Sequence, residues 1–308
     1  MLRFVRRRVL ASLLPLIVVA IGVFCLARLT GNPARLYLPI NATEQMRADF
    51  SARNGFDEPV SVQLFNYIAN ILHLDFGTSL RTGEPALHMV LRAFPATLQL
   101  AATTMVIAGV VALGLGGVAA MNPGGMVDRF VSTLSMITAS IPDFWLAIVG
   151  ILVFSATLGW LPTSGSSSAA HWVLPVLTLL IRPLGVLVQI VRGAMIEALA
   201  SPYVKFARSK GAGESRVVFG HALRNAAAPV LTVAGDLAVN LINGAVVVET
   251  IFGWPGIGRL MIDSILQRDF AVLQAAVLLI AVSIFALNIV IDLLYALLDP
   301  RVRTVAPV

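Results

Sequence analysis

Charge is what this sequence has least of. Asp, Glu, Lys and Arg make up 12% of its 308 residues, against roughly 25% in soluble globular chains. Too little polar surface remains to wet a globule of this size, so the chain reads as a membrane protein. Cysteine is nearly absent too. The single Cys25 lies in an apolar run, which excludes an internal disulfide. The four histidines, His73, His88, His171 and His221, show no metal-ligand spacing, so no metal is expected. Also missing are a nucleophile elbow, an HExxH helix and a G-x-x-x-x-G-K-S/T phosphate loop. No catalytic residue and no cofactor are therefore assigned to this chain, and any ATP hydrolysis has to come from another one. The net charge of +6 comes without a basic patch interleaved with aromatics. Nucleic acid is not an expected partner, and the excess Lys and Arg is read as marking cytoplasmic loops.

What is present is apolar length. Six runs stand near 9–29, 97–121, 131–158, 172–196, 226–251 and 272–298, each close to or above the ~20 residues that cross a bilayer. Backbone groups in lipid must satisfy one another, and no run alternates as a barrel strand does, so these are helices. The expected fold class is an all-α polytopic membrane protein of about six transmembrane helices, with membrane lipid around it. The first run follows Arg3, Arg6, Arg7 and Arg8. It is too long for a signal core and lacks a small-residue cleavage site, so it is read as an uncleaved helix.

Lys and Arg set the orientation. The side holding the N-terminus also takes Arg129, the group Arg192, Lys205, Arg208, Lys210, Arg216 and Arg224, and Arg301 and Arg303. The other side takes fewer: Arg35, Arg47, Arg53, Arg81, Arg92, Arg259 and Arg268. Both termini are then cytoplasmic. The chain divides into residues 1–29 (N-terminal residues and first helix), an external segment 30–95, a core of five helices 96–298, and a cytoplasmic tail 299–308.

The cytoplasmic loop 197–225 is too structured to be a mere connector. Ser201 before Pro202 reads as a hydroxyl cap followed by proline at the first helical position. Tyr203, Lys205, Ala207, Arg208 and Lys210 follow on a helix that stops at Gly211, a position for a left-handed turn. Glu214 and Ser215 open a second short helix carrying Arg216, Val217, Val218, Phe219 and His221. The product is a helix–turn–helix lying along the membrane surface.

Ionisable residues inside the membrane are costly and point to function. Arg182, beside Pro183 on the fourth run, and Asp236 on the fifth fall at similar depth. They either pair with each other as a packing device or line the translocation path. Pro15, Pro142, Pro175, Pro183 and Pro229 fall within the runs and mark candidate bends. Gly109, Gly114, Gly116 and Gly117 on the second run suit close helix packing.

Several strings resemble one family. The loop "YVKFARSKGAGESRVVFGHALRNA" resembles the cytoplasmic loop of bacterial ABC importer permeases, whose pattern is E-A-A, three residues, Gly, nine residues, I-x-L-P. Ala207, Gly211 and Leu223 match it. Lys205, Phe206, His221 and Arg224 depart from it, in the way the peptide-permease branch does. The strings "LDFGTSLRTGEP", "RAFPATLQL", "SIPDFWLAI", "LGWLPTSG", "VVVETIFGWPGIGRLMIDSILQRDFAVLQ" and "NIVIDLLYALLDPRVR" resemble the first-type (B-like) permease of dipeptide, oligopeptide and nickel importers.

The resemblance implies a type I ABC importer permease fold in a bacterial inner membrane. It implies that residues 202–222 couple the membrane helices to an ATPase, so that half of a translocation pathway switches between inward- and outward-facing states. It implies as partners a homologous second permease subunit, two ATPase subunits that carry the ATP and Mg, and an external substrate-binding protein. It implies an external gate region around Glu249, Phe252 and Trp254, with packing the competing reading for each. The solute stays open among dipeptides, longer peptides, nickel chelates, haem and glutathione. The alternative function is an ion-coupled secondary transporter, which would favour internal repeats and paired mid-membrane carboxylates.

Overall fold

A computed structural model describes residues 2–29, 38, 42–79 and 81–298. The tail 299–308 with Arg301 and Arg303, most of 30–41, and the side chains of Arg3, Arg6, Arg7, Arg8, Phe219 and His221 lie outside the described parts. Among the described residues the secondary structure is helical, apart from a single bridge between Thr78 and Pro85.

The helices in order are α1 (Leu2–Leu29), α2 (Glu44–Arg53), α3 (Val60–Leu72), α4 (Ala86–Met121), α5 (Met126–Ser140), α6 (Asp143–Thr157), α7 (Ala170–Ala200), α8 (Pro202–Ser209), α9 (Leu223–Ile251), α10 (Ile257–Gln267) and α11 (Phe270–Leu298). The six apolar runs all fall on helices. Ala86–Met121, Ala170–Ala200, Leu223–Ile251 and Phe270–Leu294 are each long and apolar enough to span a bilayer. The first run lies on α1, 28 residues long, or about 42 Å at 1.5 Å per residue.

The third run is not the single helix its apolar length suggests. Met126–Ser140 and Asp143–Thr157 meet at 95°. The cause is local. A residue before proline is pushed out of the helical region, and Ile141 before Pro142 sits at φ −83°, ψ 130°. Pro142 itself is extended and starts the next helix, with Asp143 in its first turn. Pro15, Pro175, Pro183 and Pro229 lie inside continuous helices, so proline alone does not break a span here.

The chain forms two compact units, residues 1–95 with 256–286, and residues 96–255 with 287–308. In the first unit, the Ala86 N–H donates to the Gly77 carbonyl and the Ser79 N–H to the Glu84 carbonyl just before α4. The Ser79 hydroxyl donates to the Asp269 carboxylate, whose other oxygen accepts from the Val272 N–H at the start of α11. Arg28 of α1 lies between the rings of Phe24 and Phe56, at 5.2 and 5.1 Å from their centroids.

The second unit is organised around α7. Ala108, Ala112, Ala119 and Ala120 of α4 pack with Leu187, Val188, Val191 and Met195 of α7, and with Val218, Ala222 and Ala226. Small residues let the helices close in, as membrane packing requires. At Gly116 an added Cβ would sit 2.8 Å from the Val191 side chain and 2.9 Å from the Val188 carbonyl. At Gly185 it would meet the Ser135 carbonyl oxygen at 2.5 Å, so α5 and α7 touch backbone to backbone. Gly109 and Gly114, expected to serve the same purpose, face open space within this chain. The turn between α4 and α5 is tied to α7 as well. Buried Asp128 accepts from the Gly124 N–H at 2.7 Å and forms a bidentate ion pair with Arg192. Arg192 therefore belongs to α7 and not to the loop that follows.

Candidate functional site

The residues singled out by the sequence lie in the 201–222 loop, at the far end of α9, and along α7 and α9, where Arg182 and Asp236 stand.

In the loop, Ser201 is extended and Pro202 takes the first helical position. The expected hydroxyl cap is absent, because the Ser201 hydroxyl donates back to the Ala198 carbonyl of α7. Gly211 stops α8 at φ +82°, a conformation that glycine adopts without steric cost. The second short helix is not separate. Residues 216–222 form a π-helical segment that runs directly into α9. Val204, Val217 and Val218 are buried and seat this element. Tyr203, Lys205, Arg208, Lys210, Gly211, Glu214 and Arg216 are all exposed, and Ala207 is half-buried. Phe206 is 61% exposed, with Lys210 Nζ 4.5 Å from its ring centroid. The turn is braced by one bidentate pair. Arg208 Nε donates to Glu214 Oε1 at 2.8 Å and its Nη2 to Oε2 at 3.0 Å. That hydrogen bonding holds the Glu214 carboxyl below its usual range and raises Arg208.

At the other end of α9 the arrangement is inverted. Glu249 is fully buried, and Phe252 and Trp254 are 2% and 1% exposed. Thr97 donates its hydroxyl to Glu249 Oε1 at 2.5 Å. The Trp254 indole N–H donates to the Ala96 carbonyl at 3.0 Å, and its ring meets Trp172 edge-on at 4.7 Å. The Phe252 carbonyl accepts from the Gly165 N–H at 2.9 Å. In this conformation the three residues pack a closed corner.

Arg182 and Asp236 do not form the buried pair that was one of the two expectations. Both are exposed within the chain, and no ion pair joins them among the described residues. Similar depth on two helices does not place two side chains on facing sides. Asp143, at the break between α5 and α6, lies within electrostatic reach of Arg182. Its Oδ1 is hidden from solvent without a hydrogen-bond partner. Its Oδ2 is the nearest atom to the place a Cβ on Gly244 of α9 would take, at 3.7 Å. The sequence reading passed over Asp143. The available signal was an acid directly after a proline in an apolar run.

Among the described residues no three His, Cys, Asp or Glu gather as a metal site.

Residues 112–304 match the family described as binding-protein-dependent transport system inner membrane component, and residues 1–101 match the N-terminal part of such membrane components. The chain belongs to this family. This permease is 39% identical to the di/tripeptide transport system permease protein DppB of Pseudomonas aeruginosa, across 98% of its own length and 99% of that protein. It is 38% identical to the glutathione transport system permease protein GsiC of Salmonella typhimurium, again across 98% and 99%. Its fold is that of a methionine ABC transporter, MetNI, in inward-facing conformation. The TM-score is 0.59 at 17% identity, covering 68% of this chain and 96% of that one. An amino acid ABC transporter solved with histidines gives a TM-score of 0.50, also at 17%. The fold is thus the type I ABC importer permease fold, and the chain is a multi-pass inner membrane transport subunit.

Proposed function

We propose that this permease forms half of the path by which peptides or similar small solutes are imported at the expense of ATP. The observation that carries the reading is likeness along nearly the whole chain to permeases of di/tripeptide and glutathione systems. The exposed loop supports it. Tyr203 and Phe206 leave aromatic surface uncovered beside Lys205, Arg208 and Lys210, on an element seated by buried valines. Exposed apolar surface rimmed by polar groups is the mark of a protein contact.

In this reading the loop docks into an ATPase subunit, with ATP and Mg held there. A homologous second permease completes the path, and an external binding protein delivers the solute. Both termini face the cytoplasm. ATP-driven closure of two ATPases pulls on α8, and the π-helical entry to α9 passes the displacement into the membrane. Such a switch biases a pair of alternative packings.

The test is uptake of labelled dialanine by proteoliposomes holding the full complex. The reading expects uptake that needs ATP and survives an ionophore. Uptake that ignores ATP and stops with the ionophore would establish an ion-coupled carrier instead.

A further inference from the structure

The break between α5 and α6 places a carboxylate in the middle of an apolar run. Asp143 opens α6 midway along a span interrupted at 95°. Its Oδ1 is shielded from solvent and accepts no hydrogen bond from the chain. A buried polar oxygen left without a partner is destabilising. Arg182 on α7 lies within electrostatic reach, yet no ion pair closes between them among the described residues. The neighbouring surface of α9 is bare at Gly244, whose missing side chain leaves room beside Asp143 Oδ2. In many secondary transporters discontinuous helices line the solute site, and a helix break can serve an importer in the same way. Two opposite charges kept apart beside such a break, one of them unsatisfied, fit a guest that carries both signs.

We propose that Asp143 and Arg182 hold the free termini of a short peptide in the translocation path, Asp143 taking the ammonium and Arg182 the carboxylate. This rests on the peptide reading above. Two linked residues of extended chain carry their terminal charges within roughly 7 Å of each other. A solute of a single charge leaves one of the two groups unmatched and is held less well. The site reads termini and ignores side chains, which suits a carrier of many sequences.

The test uses the full complex with Gly244→Cys in a Cys25→Ala background. Gly244 borders the site and leaves both charges intact, and the exposed Cys25 must be removed. Modification of the new thiol by a polar thiol reagent is timed with dialanine, and with the same dipeptide acetylated at one end and amidated at the other. Dialanine is expected to slow modification by roughly tenfold, a loss of ~1.4 kcal/mol, and the doubly blocked form to leave it unchanged. Adding Asp143→Asn or Arg182→Gln is expected to abolish the protection, with the melting temperature of the complex in detergent unchanged. A thiol that does not react, protection equal for both compounds, or protection that survives both substitutions overturns the proposal. Dialanine uptake by the native complex is measured alongside. If uptake occurs and protection fails, only this inference falls. If neither occurs, the peptide reading itself falls.

Discussion

At the Leu223 end of α9 the chain arrives through a helix and turn whose charged and aromatic side chains face outward. At the Ile251 end it leaves through a corner in which Glu249, Phe252 and Trp254 are all buried. The buried corner uses its polar groups on the chain itself: Glu249 on Thr97, the Trp254 indole on Ala96. The exposed end keeps one internal brace, Arg208 to Glu214, and leaves Tyr203 and Phe206 uncovered. One end spends its side chains on the chain itself and the other turns them outward, as the proposed docking requires. Substitutions at the two ends should therefore fail differently, the first in stability and the second in coupling.

The largest expected effect lies in the packing that supports both ends. Gly185→Val would drive two methyls into the Ser135 carbonyl, already 2.5 Å from a single Cβ. A backbone atom has no rotamer by which to yield. Loss of a monodisperse peak on size exclusion is expected, and a normal peak would show that α5 and α7 slide apart freely. Next comes Trp254→Ala. Truncating a buried aromatic costs about 3 kcal/mol, so the melting temperature in detergent should fall by several degrees. ATP hydrolysis per folded complex should stay coupled to transport. If the melting point holds and coupling goes, the corner works as a gate.

Phe206→Asp should do the reverse. The side chain is already mostly exposed, so melting is expected unchanged, within about 0.5 kcal/mol, with transport lost. A fall in melting temperature would mean that the loop is part of the core. The smallest effect is at Glu214→Gln, read as faster amide exchange over 202–216. The Glu214 carboxyl sits below its ordinary value when folded. Its contribution is then complete above the unfolded value, roughly 4.3, and is lost as pH falls through the folded one. Native and variant should differ at pH 7 and converge on acidification below about 4. The pair is exposed, so added salt should narrow the gap too.

Much of this was legible in the sequence because length and hydropathy are one-dimensional. The six apolar runs fall on helices, and Gly211 takes the left-handed turn its position suggested. What was not legible depends on direction around a helix. Arg182 and Asp236 share a depth, and depth alone made them look like partners. The structure puts Asp143, the residue that follows the bend at Pro142, within electrostatic reach of Arg182 instead. Five prolines looked alike in the sequence. One of them breaks a span, because there the preceding residue leaves the helical region and no following helix continues the old axis. Arg192 read as a loop charge because its partner, Asp128, is 64 residues away. Gly185 passed unnoticed for the same reason, since the backbone it touches belongs to another helix.

The central claim is that the outward face of residues 203–216 docks an ATPase. The most direct measurement is co-purification from gently solubilised membranes, comparing the native chain with Phe206→Asp, followed by an ATPase assay of the eluate. The account predicts an ATPase that co-elutes with the native chain and is lost with the variant, at equal yield and unchanged melting temperature. An ATPase that co-elutes equally with both, or with neither, would contradict it.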